Sequence, residues 1–305
     1  MNTLDLLQHR RNVYSHNGED GVLEFLSARL PSPNKWAIEF GAWDGKWASN
    51  TCHLLERADW NVVYIECDAE KFKDLQKHHS KNPKAHLVQK FIAFDGPDRL
   101  DGILKAIPGC PLDPDFISMD IDGCEYHLWE SLIDYRPKMV LTEFNPSMPL
   151  DFNYVQPRDF SVNHSSSLKA FVELAHKKGY RLISILDYNA LFLREDLVLP
   201  MGLEPAKMET LFEPFKTRYQ TQMWQSMDGR IHLIGCDRLL WHNVNINPEK
   251  IQVLPRLLRI NPAGTGVTRK ILRTIYHNVP FVRDLFNFVI SGRFKAPEGT
   301  ESRQT

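Results

Sequence analysis

From residue 36 to about 145, short apolar runs of strand length alternate with longer segments whose apolar residues recur at helical spacing. The runs WAIEF (36–40), NVVYIE (61–66), HLVQKFIAF (86–94), DFISMD (115–120) and KMVLTEF (138–144) read as strands. Between them, SNTCHLLERA (49–58), AEKFKDLQKHH (69–79), PDRLDGILKAI (97–107) and YHLWESLIDY (126–135) read as helices, the first capped by Ser49 or Asn50. Such regular β–α alternation predicts an α/β domain built on a doubly wound, mostly parallel sheet. Downstream, residues 165–180 form an amphipathic helix opened by serines and stopped by Gly179, followed by strands at 181–186 and 190–194.

Two later stretches break this pattern. Residues 200–245 carry Pro, Met and aromatic residues without a clean period, as expected of a substrate lid or insertion completing a domain over 1–245. There Trp224 and Trp241 are placed either to stack on sugar faces or to pack in a core. Residues 246–305 predict a basic helical extension, interrupted at Pro280 and with a disordered tail after Ala296. Lys250 to Lys295 holds nine Lys/Arg against one acid, Asp284. Three readings stand open for these helices: a hairpin packed on the domain, a peripheral contact with an anionic membrane, and a homodimer interface.

Composition narrows the field. The 305 residues are 43% hydrophobic and 25% charged, enough for a substantial core, and a formal net charge of −1 gives no reason to expect nucleic acid as a partner. Five widely spaced cysteines without a C-x-x-C pair are expected as free thiols. Together with an N-terminus lacking a signal-like apolar run, they predict a cytoplasmic protein, with a peripheral position at the inner face of the membrane kept open.

In an open α/β sheet, ligands bind beyond the carboxyl ends of the strands, and those ends are polar here. The first strand runs through Glu39 into Gly41-Ala42-Trp43-Asp44-Gly45, and the second ends on Glu66, an acid placed to accept ribose hydroxyls. A pyrophosphate cradle needs glycines opening directly into a helix N-terminus, where negative charge is unwelcome. Asp44 in this turn favours a cofactor with a positive amino group, such as S-adenosylmethionine, over a nicotinamide dinucleotide.

Asp120, Asp122 and Glu125 follow the fourth strand, while Glu143 and Asn145 end the fifth. The oxygen set Asp120, Asp122, Glu143 and Asn145 suits Mg²⁺ or Mn²⁺ rather than zinc. Alternatively Asp120, Glu143 or His164 serves as general base toward a hydroxyl. The segment YSHNGEDG (14–21) reads either as a helix start or as a cover over the cofactor, with Tyr14, Ser15 and Asn17 as contacts.

Taken together, YSHNGEDGVLEFL, EFGAWDG, YIECDAEKFKDL, FISMDIDGCEYHLWESL, VLTEFNP and GYRLISILDYNALFLR resemble the FkbM-type branch of class I S-adenosylmethionine-dependent methyltransferases over roughly residues 13–195. The resemblance implies a seven-stranded sheet, an adenosylmethionine site across the first strands, and O-methylation of a sugar or another small hydroxyl-bearing molecule. By the same likeness Glu39, Gly41, Ala42, Asp44, Gly45 and Asn50 belong to the first cofactor motif, Glu66 holds the ribose, and Asp95 lies near the adenine. A nicotinamide-dependent oxidoreductase and a non-catalytic sugar- or partner-binding module are the competing readings.

Overall fold

The computed structural model describes residues 1–259, 266–281 and 284. Seven strands form one sheet: β1 (Trp36–Phe40), β2 (Asn61–Glu66), β3 (Ala85–Gln89), β4 (Phe116–Met119), β5 (Met139–Glu143), β6 (Tyr180–Leu186) and β7 (Asn189–Arg194). Their order is β3-β2-β1-β4-β5-β7-β6. The pairings along β3 to β5 are parallel, whereas β7 runs antiparallel to both its neighbours. The central strands carry near-continuous apolar runs because both faces are covered: across β1, β2 and β4 only the first residue of β1 and of β2 is incompletely buried, whereas the edge strand β3 is half-buried and ends exposed at Gln89. The strand order reverses between β1 and β4, so a crevice opens beyond Phe40 and Met119.

The helices that accompany the sheet include α1 (Glu19–Ser27), α2 (Cys52–Ala58), α3 (Ala69–His79), α4 (Leu100–Lys105), α5 (Glu125–Ser131) and α6 (Leu168–Lys178), with short helices at Glu195–Val198 and Met208–Phe212 after β7. One face of the sheet, with Ala37, Val62, Tyr64, Phe116 and Leu141, packs in a single core with Val22, Leu23 and Leu26 of α1, Leu54 and Leu55 of α2, and Phe72 and Leu75 of α3. α6 begins as its sequence predicts, with Ser167 Oγ accepting the Ala170 amide and Gly179 in the left-handed conformation at its end.

Several element boundaries differ from expectation, α4 and α5 among them, being shorter than the 97–107 and 126–135 read from sequence; two others have a clear local reason. α2 starts at Cys52 rather than residue 49, because Ser49 Oγ accepts the Cys52 amide at 3.0 Å while its hydroxyl is drawn to Glu39. β3 stops at Gln89 rather than residue 94, because its partner β2 ends at Glu66, opposite Gln89. Residues 90–99 then turn back, with Ala93 bonded to the Asp98 carbonyl.

The chain divides into two compact units, Met1–Phe215 and Lys216–Thr305. The division falls before residue 245, the boundary expected from sequence, because residues 216–245 pair locally. Thr221–Gln225 and Ile231–Gly235 form an antiparallel hairpin, and Arg238–Leu239 pairs with Val244–Asn245. The second unit also contains the helix Val267–Asn278. Most of the helix expected after Pro280, and the tail expected after Ala296, lie outside the described residues. No helix of the described residues is long and apolar enough to cross a membrane.

Candidate active site

The loop from Gly41 to Thr51 is organised from below by Glu39. This buried carboxylate accepts Ser49 Oγ at 2.6 Å, Thr51 Oγ1 at 2.6 Å and the Asn50 amide at 2.8 Å. Burial pushes its pKa up to about 7 against the opposing pull of these donors. Asn50 extends the network by donating from Nδ2 to Ser118 Oγ on β4. Asp44 shapes the turn itself, since its Oδ1 accepts the Lys46 and Trp47 amides at 2.9 and 2.8 Å. Glu39 and Asp44 are therefore engaged with the loop itself, and Asn50 ties it to β4.

Gly41, at φ +73°, lets the chain pass the switch point: a Cβ there would stand 1.7 Å from the Asp120 carbonyl oxygen. Gly45, at φ +69°, lies against Leu75 and His79 of α3 and seats the loop on that helix. Ala42 is buried in the core between them.

A cavity of about 220 Å³ opens beside this loop, lined by Phe40, Gly41, Ile65, Glu66, Cys67, Lys90, Phe91, Ile92, Ile121, Leu128 and Phe160. Its floor is the ends of β1 and β2 and its walls are mostly apolar, with Lys90 the cation among them. Glu66 is buried, accepting the Trp43 amide at 2.9 Å and the Asp68 amide at 2.8 Å, one on each carboxylate oxygen. Each oxygen keeps a further lone pair for a ligand. Phe160, from the irregular segment after β5, stacks on Phe94 with centroids 4.2 Å apart and meets Phe91 edge-on at 4.7 Å. Asp95 does not line the cavity. It is exposed and pairs with Arg158 at 2.9 Å, tying the 90–99 turn to the segment that carries Phe160.

Beyond Ile121 the acids converge. One carboxylate oxygen from each of Asp120, Asp122 and Glu143 lies within 4.8 Å of the others, so the ends of β4 and β5 meet as expected. Burial and the neighbouring charge of Asp122 push Asp120 up to about 6, while burial and then Asp120 push Glu143 well above the usual carboxylate range. Glu125 is buried behind them, its Oε1 accepting the Ile121 and Gly123 amides and its Oε2 without a partner. Burial raises it to about 7.

Asn145 and His164 are held elsewhere. Asn145 donates to the His164 carbonyl and accepts the Ser147 amide and hydroxyl, while the exposed His164 ring bonds Tyr154 Oη at 2.9 Å. Neither side chain joins the carboxylate group by these contacts.

The 12–20 segment is folded around Asp20, whose Oδ2 accepts the amides of Val13, Tyr14 and Ser15 and the Ser15 hydroxyl. Asn17 donates its amide to Glu19 and its side chain engages Tyr188. Glu19 in turn accepts from Asn189 at the start of β7, and its charge contributes to the raised Asp120. His16 packs edge-on against Trp47 at 4.6 Å, so this segment meets the cofactor-motif loop. Tyr14 lies toward α2, where Glu56 and Arg57 are its charged neighbours.

Sequence reading missed Phe91, Ile92 and Phe160 on the cavity wall and Glu19 near the acids; it set Glu125 with the acids after the fourth strand but gave it no role. The strand expected to continue through Phe91 concealed the first two. Phe160 lies in a segment with no period, and only the folded chain brings it to Phe94.

No family model and no curated protein matches the chain. Among solved structures it is similar to the CMeT domain of the citrinin polyketide synthase, at 14% identity over 58% of this chain and 51% of that one, with a TM-score of 0.40. The CurJ carbon methyltransferase is similar at 9% identity over 61% and 56%, TM-score 0.40. The glycopeptide N-methyltransferase MtfA in complex with S-adenosylmethionine is similar at 12% identity over 58% and 86%, TM-score 0.34. The chain spans about half the length of the first two. These TM-scores lie below 0.5, and the fold assignment is carried by the strand order. The mostly parallel seven-stranded sheet with its antiparallel β7 is a Rossmann-like, doubly wound α/β fold, as expected from sequence.

Proposed function

We propose that the protein is an S-adenosylmethionine-dependent O-methyltransferase acting on a hydroxyl of a saccharide, a nucleotide-linked sugar or a related small molecule. The observation that carries this reading is the cavity at the ends of β1 and β2, where Glu66 is the one acid in an otherwise largely apolar lining. A buried acid with free lone pairs suits a ribose, and the Phe91, Ile92 and Phe160 walls suit a flat base. Uncompensated carboxylates just beyond Ile121 suit a cofactor whose reactive centre is cationic. A dinucleotide fits less well. α2 begins seven residues after Gly45, and the Asn50, Thr51 and Cys52 amides that a phosphate would need are already taken by Glu39 and Ser49.

When bound, adenosylmethionine supplies an electrophilic methyl group that leaves its sulfur with the bond pair remaining on sulfur. The chain supplies the rest. Asp120, ionised above about pH 6, accepts the proton of the acceptor hydroxyl, and Glu143 holds a neighbouring proton so that the two charges need not coexist. In the alternative to a general base, Asp120, Asp122 and Glu143, all ionised, would form a hard-oxygen set that fits Mg²⁺ or Mn²⁺, which would orient the hydroxyl and lower its pKa. Glu66 and Gly41 fix the cofactor end, while Glu39 holds the loop between them.

Isothermal titration tests the reading. Adenosylmethionine and adenosylhomocysteine are expected to bind with micromolar affinity and NADH not at all. Binding of NADH without adenosylmethionine would overturn it.

A further inference from the structure

We propose that the helix Val267–Asn278 docks lengthwise on an anionic lipid surface. The inference concerns the second unit alone and does not rest on the methyltransferase reading. Three observations carry it.

The first is an apolar stripe left in solvent. Val267, Ile271 and Ile275 succeed one another at four-residue intervals, on one side of the helix, and are 74%, 52% and 40% exposed. Val279 and Phe281 continue the exposed apolar run past the helix end. By the same sequence period Arg269 and Arg273 fall on the opposite side and His277 and Lys270 on one flank of the stripe.

The second is the separation of charge between the units. Lys216–Thr305 holds 14 Lys/Arg against 6 Asp/Glu, whereas Met1–Phe215 holds 23 against 32. The neutral average of the chain conceals a strongly basic C-terminal unit, and Lys250 through Arg283 contains no acid. A basic amphipathic helix of low overall hydropathy is the sequence form that lies in a membrane interface rather than crossing it.

The third is what this charge pattern excludes. Two copies of the helix pairing through their apolar stripes would need acids to face the bases on their flanks. This stretch has none, so paired copies would set cation against cation. A lipid surface bearing phosphatidylserine or phosphatidylglycerol offers the missing anions and an apolar layer beneath them.

The test uses the full chain and two kinds of vesicle, phosphatidylcholine alone and phosphatidylcholine with about 30% phosphatidylserine. Co-sedimentation is expected to be about tenfold or more stronger on the anionic vesicles and to weaken as salt is raised. I271D/I275D is expected to abolish binding, with the far-ultraviolet circular dichroism spectrum as the control for folding. K270Q/R273Q, which keeps the apolar stripe and guards against a misfolded first variant, is expected to reduce binding to the anionic vesicles severalfold. Equal binding to both vesicles, absence of binding, or binding unchanged in both variants would each overturn the proposal. So would a dimer in light scattering that depends on Ile271 and Ile275 while vesicles are ignored.

Discussion

At the residue scale, two carboxylates at strand ends differ in what surrounds them, and so in what replacing them does. Glu66 meets an apolar cavity and two backbone amides. Glu66→Ala removes the only acidic side chain lining that cavity, and adenosylmethionine affinity is expected to fall by about 10- to 100-fold in titration calorimetry, the worth of one or two charge-assisted hydrogen bonds. Asp120 is buried among other acids, and burial first and then the charge of Asp122 hold its proton up to about pH 6. Turnover in the intact protein is expected to rise as pH climbs through about 6 and then level, as the base form fills. Asp120→Asn is expected to lower turnover by about 100-fold or more and to erase that rise, with the cofactor still bound. Both acids were legible in the sequence because strand ends in a doubly wound sheet announce themselves by a polar residue after an apolar run. Phe160 was not, since its place on the cavity wall comes from stacking on Phe94, a contact across 66 positions that no local period encodes.

At the scale of elements, the loop between β1 and α2 is held by one glycine and one buried acid. Gly41→Ala brings a Cβ against the Asp120 carbonyl at a backbone angle that side chains avoid. A loss of about 3 kcal/mol or more in unfolding free energy by denaturant titration is expected, with loss of cofactor binding because the β1 and β4 ends must part. Glu39 gives the same loop a pH dependence. Its folded pKa of about 7 lies above the ordinary carboxyl value of 4.5, so the fold favours the protonated form. That contribution is fully present below about pH 4.5 and is lost as pH rises through about 7. Glu125, also raised to about 7, acts in the same direction. Stability is therefore expected to fall between pH 5 and pH 8 by on the order of 1–3 kcal/mol for each acid, and Glu39→Gln is expected to flatten part of that slope, the remainder coming from Glu125, Asp120 and Glu143. The sequence reading had Glu39 and Asp44 facing the cofactor. The hydrogen bonds show them holding the loop that would face it, a distinction that needs donor positions and not only residue types.

At the scale of the whole molecule, the sequence made the α/β order plain but set the boundary near 245, because an irregular stretch without a period looks like an insertion into what precedes it. The folded chain divides after Phe215. Every residue lining the cavity, the three converging carboxylates and the Glu19–Asn189 contact lie before that point. So does the core cluster formed by one face of the sheet with α1, α2 and α3. A chain ending at Phe215 is accordingly expected to fold and to bind adenosylmethionine within about threefold of the full protein, because sites without shared partners contribute independently. Its charge changes more than its cofactor site does. With 23 Lys/Arg against 32 Asp/Glu it becomes distinctly acidic, where the full chain is nearly neutral. It is expected to be retained more strongly on an anion exchanger and to lose all affinity for anionic vesicles. If the shortened chain folds but no longer binds the cofactor, the site extends beyond the residues before 215. If it still binds anionic vesicles, the basic unit is not what holds the protein to them.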